Sequence, residues 1–150
     1  MKDVKKVLLP TDFSEGSDAA AAWALDLAAR YKARLVVLHV VYDFIRGSGM
    51  DLPQMDSDLL YGQMEEAARA SIAKFVAERL EGYADVEAVV IRGIPNEDIL
   101  RFAGEQGIGL IVMGTHGRRG LDRIIFGSTA QKVVREALCP VLTVAAPHPA

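Results

Sequence analysis

The chain has 150 residues, 51% of them hydrophobic and 25% charged, with a formal net charge of −3. That balance excludes a disordered chain and makes charge-driven nucleic-acid binding a poor fit; it suits a globular domain with a sizeable core. Cys139 is the one cysteine, so no intrachain disulfide can form.

The start, MKDVKKVLLPTDF, lacks the long apolar core of a signal peptide. No stretch reaches the ~18 apolar residues of a membrane span, so a membrane partner is not expected and the cytoplasm is the expected compartment. VKKVLLP (4–10) reads as a short buried strand. SEGSDAAAAWALDLAARYKA (14–33) reads as a helix, with Ser14 as cap, Glu15 and Asp18 at its positive end, and Ala20, Ala24, Leu27 and Tyr31 on one face. RLVVLHVV (34–41) is apolar on both faces, the mark of a strand in a helix-covered parallel sheet.

Residues 42–57 read as a long loop. A longer helix follows from about Asp58 to Leu80, with Met64, Ala68, Ile72, Phe75 and Val76 on its inner stripe. VEAVVIR (86–92) is a third strand, and Pro95 opens a short helix ending near Gly107. GLIVM (109–113), STAQKVVREAL (128–138) and PVLTVAA (140–146) complete the series as strand, helix and strand.

Strictly alternating strands and helices, with no repeat or linker, predict one α/β domain over 1–150: a doubly wound, five-stranded parallel sheet with helices on both faces. Strand order 3-2-1-4-5 puts the switch point between the first and fourth strands. Ligands of such sheets sit at the carboxyl ends flanking that switch, here at Pro10, Thr11 and Asp12 and at Met113 and Gly114.

The second of those loops begins GTHGRRGLDRIIFGST (114–129). Gly114, Gly117, Gly120 and Gly127 expose backbone N–H groups and let a ligand approach closely. Ser128 and Thr129 stand at a helix N-terminus, which attracts anions. Arg118, Arg119 and Arg123 against Asp122 leave the stretch at +2. Phosphate is the economical ligand. Each piece also has a plain structural reading: Gly114 as a chain turn, Gly127-Ser128-Thr129 as a cap, the arginines as solvated surface. The P-loop pattern G-x-x-x-x-G-K-[ST] and the dinucleotide pattern G-x-G-x-x-G are both absent.

G-x-x-G, nine residues, then G-[ST] is met by Gly114, Gly117, Gly127 and Ser128. With VLLPTDFS, LHVV, G-x-P-N-E-D-I-L, GTHGRRGL and CPVLTV in order over nearly the whole chain, the sequence resembles the universal stress protein family, in its ATP-binding subgroup. The resemblance implies an ATP-binding α/β fold, usually a homodimer. It places adenine near Val40 and Asp12 near the ribose or a metal, with Mg²⁺ or Mn²⁺ on the phosphates. The triphosphate would lie along Gly114, Gly117, Gly127, Ser128 and Thr129. His116 and Arg118 belong to the same loop, where His116 either touches phosphate or is solvated.

Each assignment has a structural alternative. Asp12 can instead cap the first helix or pin a turn, His39 reads as a packed strand histidine, and Cys139 as buried and inert. No dedicated catalytic base is visible, and H-x-x-x-H, C-x-x-C and G-x-S-x-G are absent. The leading expectation is therefore a binding protein whose nucleotide state alters shape or partners, with no catalytic residues assigned. The alternatives are a slow ATPase or autokinase, and a structural dimer module without nucleotide. Val141, Leu142, Thr143 and Val144 form an apolar edge with no charge after them, which predicts pairing with a second copy.

Overall fold

The computed structural model describes residues 3–49, 54–115 and 127–147. Its elements are β1 (Lys6–Pro10), α1 (Glu15–Tyr31), β2 (Arg34–Tyr42), α2 (Phe44–Ser48), α3 (Gln54–Arg79), β3 (Val86–Gly93), α4 (Pro95–Glu105), β4 (Leu110–Gly114), α5 (Ser128–Glu136) and β5 (Val141–Val144). The five strands form one parallel sheet in the order β3-β2-β1-β4-β5. Leu8 of β1 aligns with Val36 of β2 on one side and Ile111 of β4 on the other.

Successive residues of a strand face opposite ways, so a sheet covered on both sides needs apolar residues at every position. Val7, Leu9, Val37 and Val112 face α1 and α3, where Ala20, Ala24, Ile72 and Phe75 meet them. Leu8, Val36, Ile111 and Met113 face α4 and α5, against Ile99, Ala103, Ala130 and Val133. Leu8, Leu9 and Ile111 are fully buried, each worth about 1.5–3 kcal/mol of transfer free energy. This two-sided core is the doubly wound arrangement expected from the strand pattern.

Ser14 caps α1: its backbone is extended and its hydroxyl accepts from the Ser17 amide at 3.4 Å. Lys32 closes the helix in the left-handed region, at φ 54°. The buried face of α1 differs from the expected one. It runs through Gly16, Ser17, Ala20, Ala21, Ala24 and Ala28, while Leu27 is only partly covered and Tyr31 is exposed. Small residues win because the helix lies close against the sheet.

The long loop expected over 42–57 is also corrected. Phe44–Ser48 form the short helix α2, and α3 starts at Gln54 rather than near Asp58. Asp43 caps α2 by accepting from the Arg46 amide at 3.0 Å. The same Asp43 oxygen accepts from the Tyr61 hydroxyl at 2.7 Å, which ties α2 to α3. The inner stripe of α3 does include Ala68, Ile72 and Phe75, all buried.

Candidate functional site

The loops that leave β1 and β4 diverge at the switch point, and a cavity of about 450 Å³ opens between them. A volume of that size lies within the ~300–1,000 Å³ range of small-molecule sites. Pro10, Thr11 and Asp12 line it from the β1 side, and Met113, Gly114 and Thr115 from the β4 side. Val40 at the end of β2, Pro95 and Ile99 on α4, Ser17 on α1, and Gly127, Ser128 and Thr129 at the start of α5 also line the wall. The structure thus brings together nine of the expected site residues. His116, Gly117 and Arg118 lie outside the described residues.

The β1 side is a rigid turn. The Thr11 amide continues the sheet by donating to the Leu38 carbonyl at 2.8 Å, and the Thr11 hydroxyl accepts from the Phe13 amide at 3.0 Å. Asp12 Oδ1 accepts from the Ser14 amide at 3.0 Å and from the Ser17 hydroxyl at 2.9 Å. Asp12 therefore does pin a turn. Its position on the cavity wall leaves the ligand-contact reading standing beside that role. His39 is a packed strand histidine. Its Nδ1 sits 2.7 Å from the Thr11 carbonyl, which can only accept, so that nitrogen carries the proton. The ring packs on Phe13 at a centroid distance of 4.6 Å. Phe13 itself has φ 64°, a left-handed conformation uncommon for a bulky residue.

On the β4 side the reason for glycine at 114 is not a turn. Gly114 is the last residue of β4, in register with Val144, and the backbone of Gly16 lies against it. Gly127 has φ −61°, so its backbone does not require glycine either. The two ends of the glycine stretch are joined, since the Gly127 amide donates to the Thr115 carbonyl at 2.8 Å. α5 then starts at the cavity, and among the described residues no side chain caps its first turn, Gly127 having none to offer. Its N-terminal amides and the hydroxyls of Ser128 and Thr129 form a donor set suited to an anion.

Among the described lining residues Asp12 is the one carboxylate, and none is lysine or arginine. Among the described residues no group of three or more His, Cys, Asp or Glu side chains gathers to hold a metal ion. The donors fit a phosphate-bearing ligand at the α5 end. They fit a divalent cation only as a single carboxylate completed by ligand oxygens, which is an ordinary situation for Mg²⁺. Cys139 is partly covered rather than fully buried, and burial pushes its thiol up, so it is a poor nucleophile. Among the described residues no helix is long and apolar enough to cross a membrane.

Sequence reasoning missed Ser17, Thr115, Pro95 and Ile99 as parts of this wall. Ser17 carries a local signal, a hydroxyl one turn into a helix that follows an aspartate. Pro95 and Ile99 carry none, because the fold alone brings α4 beside β2.

A doubly wound parallel sheet with a cavity over its switch point defines the class: an α/β domain whose cavity lies at the carboxyl ends of its strands, where sheets of this kind take their ligands. The universal stress protein family model matches residues 3–145, and the chain belongs to that family. A universal stress protein of Methanocaldococcus jannaschii, MJ0531, is 35% identical over 145 residues, covering 95% of this chain and 83% of the relative. The solved structure of MJ0577 from the same organism superposes with a TM-score of 0.81 at 28% identity, covering 99% of this chain and all of that one. A universal stress protein from Archaeoglobus fulgidus, solved in complex with dAMP, shares the fold at a TM-score of 0.64 and 23% identity, over 95% of this chain and 98% of that one.

Proposed function

We propose that this chain binds ATP in the switch-point cavity and acts as a nucleotide-dependent regulatory dimer in a stress response. The observation that carries the reading is the start of α5 at Gly127, Ser128 and Thr129, opening into a cavity of about 450 Å³. In this reading residues 1–150 form one nucleotide-binding domain that works in the cytoplasm. The amides and hydroxyls of Gly127, Ser128 and Thr129 hold the phosphates, with Gly114 beneath them. His116, Gly117 and Arg118, which lie outside the described residues, are further candidates for phosphate contact in this reading. Adenine lies against the β2 end at Val40, with backbone groups reading its edge. Pro10 and Thr11 shape the β1 side, and Asp12 meets the ribose or a divalent cation shared with phosphate oxygens. Mg²⁺ or Mn²⁺ would supply charge neutralisation, which the described lining side chains lack. The dAMP complex of a relative with this fold supports a nucleotide as the class of ligand.

Calorimetric titration with ATP in Mg²⁺ buffer tests the reading. The wild type should bind, and Gly127→Val should lose binding while remaining folded, because the added side chain occupies the anion's place. A wild type that takes up no ATP sinks the proposal. Phosphate release by the same protein should be slow, far below the ~1–100 s⁻¹ of kinases. Rapid multiple turnover that is lost in His116→Ala or Asp12→Ala would make the protein an enzyme instead.

A further inference from the structure

One charged cluster stands behind the cavity wall. Asp98, in the first turn of α4, is 1% exposed. Its Oδ2 accepts from the Ile94 amide at 2.7 Å and from Arg46 Nη1 at 2.9 Å. Its Oδ1 accepts from Arg101 Nε at 2.9 Å and Nη2 at 2.8 Å. Gly93 makes room for this carboxylate, since a β-carbon there would lie 2.7 Å from Asp98 Cγ.

Two of the donors belong to α4 or its entry. Arg46 does not: it comes from α2, and its Nη2 also reaches Glu97 at 3.3 Å. α2 is anchored from behind as well. The Asp43 amide donates to the Gly93 carbonyl at 2.8 Å, and Tyr61 holds the Asp43 carboxylate. Pro95 and Ile99, on either side of Asp98 in the sequence, line the cavity. The ion pair thus joins a short helix after β2 to the turn of α4 that forms part of the cavity wall.

We propose that Arg46 and Asp98 are a positioning pair: through them α2 holds the first turn of α4, and so fixes the Pro95–Ile99 wall and the residence time of whatever occupies the cavity. The residence-time clause rests on the nucleotide reading above; the positioning of the wall does not. Arg46 is the informative residue to change. Without it the buried carboxylate keeps Ile94 and Arg101, so no charge is stranded and the fold survives. The wall loses only its link to α2.

Hydrogen exchange at the Ile94, Glu97 and Asp98 amides of the nucleotide-free protein reads the wall directly. Arg46→Gln should speed exchange there by roughly three- to fivefold, the scale of a half-exposed ion pair, with β1 amides unchanged. Arg46→Lys, which keeps the charge on Asp98, should return exchange to within roughly twofold of wild type. ATP should dissociate from Arg46→Gln faster by a similar factor. Unchanged exchange in Arg46→Gln, no rescue by lysine, or faster exchange with unchanged ATP dissociation would each overturn the proposal. A wild type that takes up no ATP overturns the nucleotide reading by itself, and the exchange measurements then decide whether the pair positions the wall.

Discussion

The last residue of β4 and the first turn of α1 meet backbone to backbone, at Gly114 and Gly16. A β-carbon added at 114 would lie 2.8 Å from the Gly16 carbonyl carbon and 2.9 Å from its oxygen. Backbone cannot yield as a flexible side chain can. Gly114→Ala should therefore destabilise the nucleotide-free protein by about 1–3 kcal/mol, the usual cost of overpacking. Denaturant unfolding checks this, and an unchanged midpoint would mean that α1 shifts freely. The result separates a packing role for Gly114 from a ligand role, because no ligand is present.

Asp12 needs a pair of substitutions. Asp12→Ala removes the acceptor for the Ser14 amide and the Ser17 hydroxyl, and should cost about 0.5–1.5 kcal/mol of stability. Asp12→Asn keeps a carbonyl oxygen for the turn and loses only charge, so it should be the milder change in stability. If the carboxylate also meets ribose or cation, both variants should weaken ATP by ~1.5–3 kcal/mol. Wild-type affinity in Asp12→Asn would confine the residue to its turn.

Among the described residues β5 pairs only with β4, and its four residues are each partly exposed. A second copy related by a two-fold axis can pair with its open edge. Leu142→Lys or Val144→Lys should shift a dimer toward monomer in sedimentation. Both side chains also pack on the α1-side core, so circular dichroism must confirm that each variant is folded. A wild type that sediments as a monomer, or a dimer indifferent to both changes, would exclude this edge.

Acid stability should depend on Asp98. Burial opposes its charge, but the Ile94 amide, Arg101 and Arg46 outweigh that and hold the carboxyl below its ordinary value. A depressed carboxyl stabilises fully above the unfolded value of about 3.9, and that contribution fades as pH falls through the lower folded value. Between about pH 5 and about pH 2 the wild type should therefore lose more stability than Asp98→Asn. Equal losses would assign acid sensitivity to other groups, such as Asp43, which the Arg46 amide and the Tyr61 hydroxyl also hold low.

The sheet was legible because most strands are largely apolar runs and the helices α1 and α4 carry their own punctuation, Ser14 before α1 and Pro95 at the start of α4. The cavity was legible for the same topological reason: strand order alone places Asp12 and Gly114 at one switch point. What escaped depends on contacts made across the chain. α2 is five residues long, with Gly47 inside it, and its local marks, Asp43 as cap and Gly49 closing it, serve an ordinary turn equally well. Tyr61 and Asp98 hold it in place from other helices. The buried face of α1 escaped because apolar spacing favours Leu27 and Tyr31, whereas the approach of Gly16 to Gly114 demands small residues. At Gly114 the sequence offers a ligand glycine or a chain turn, and the fold adds a packing constraint, the Gly16 backbone lying against it.

The central place of β1 bears on how the molecule is assembled. Lys6–Pro10 are synthesised well before their second neighbour, β4, which follows only at Leu110–Gly114. A growing chain can pair β1 with β2 early, but one side of β1 waits for most of the sequence. The cavity, which opens between the loops that follow those two strands, cannot exist until then. Any occupant bridging the two loops binds only the finished fold and draws the equilibrium toward it in proportion to RT ln(1 + [L]/Kd). The protein's resistance to heat and proteolysis would then rise with the concentration of that ligand, making its abundance in a cell a readout of the ligand's supply.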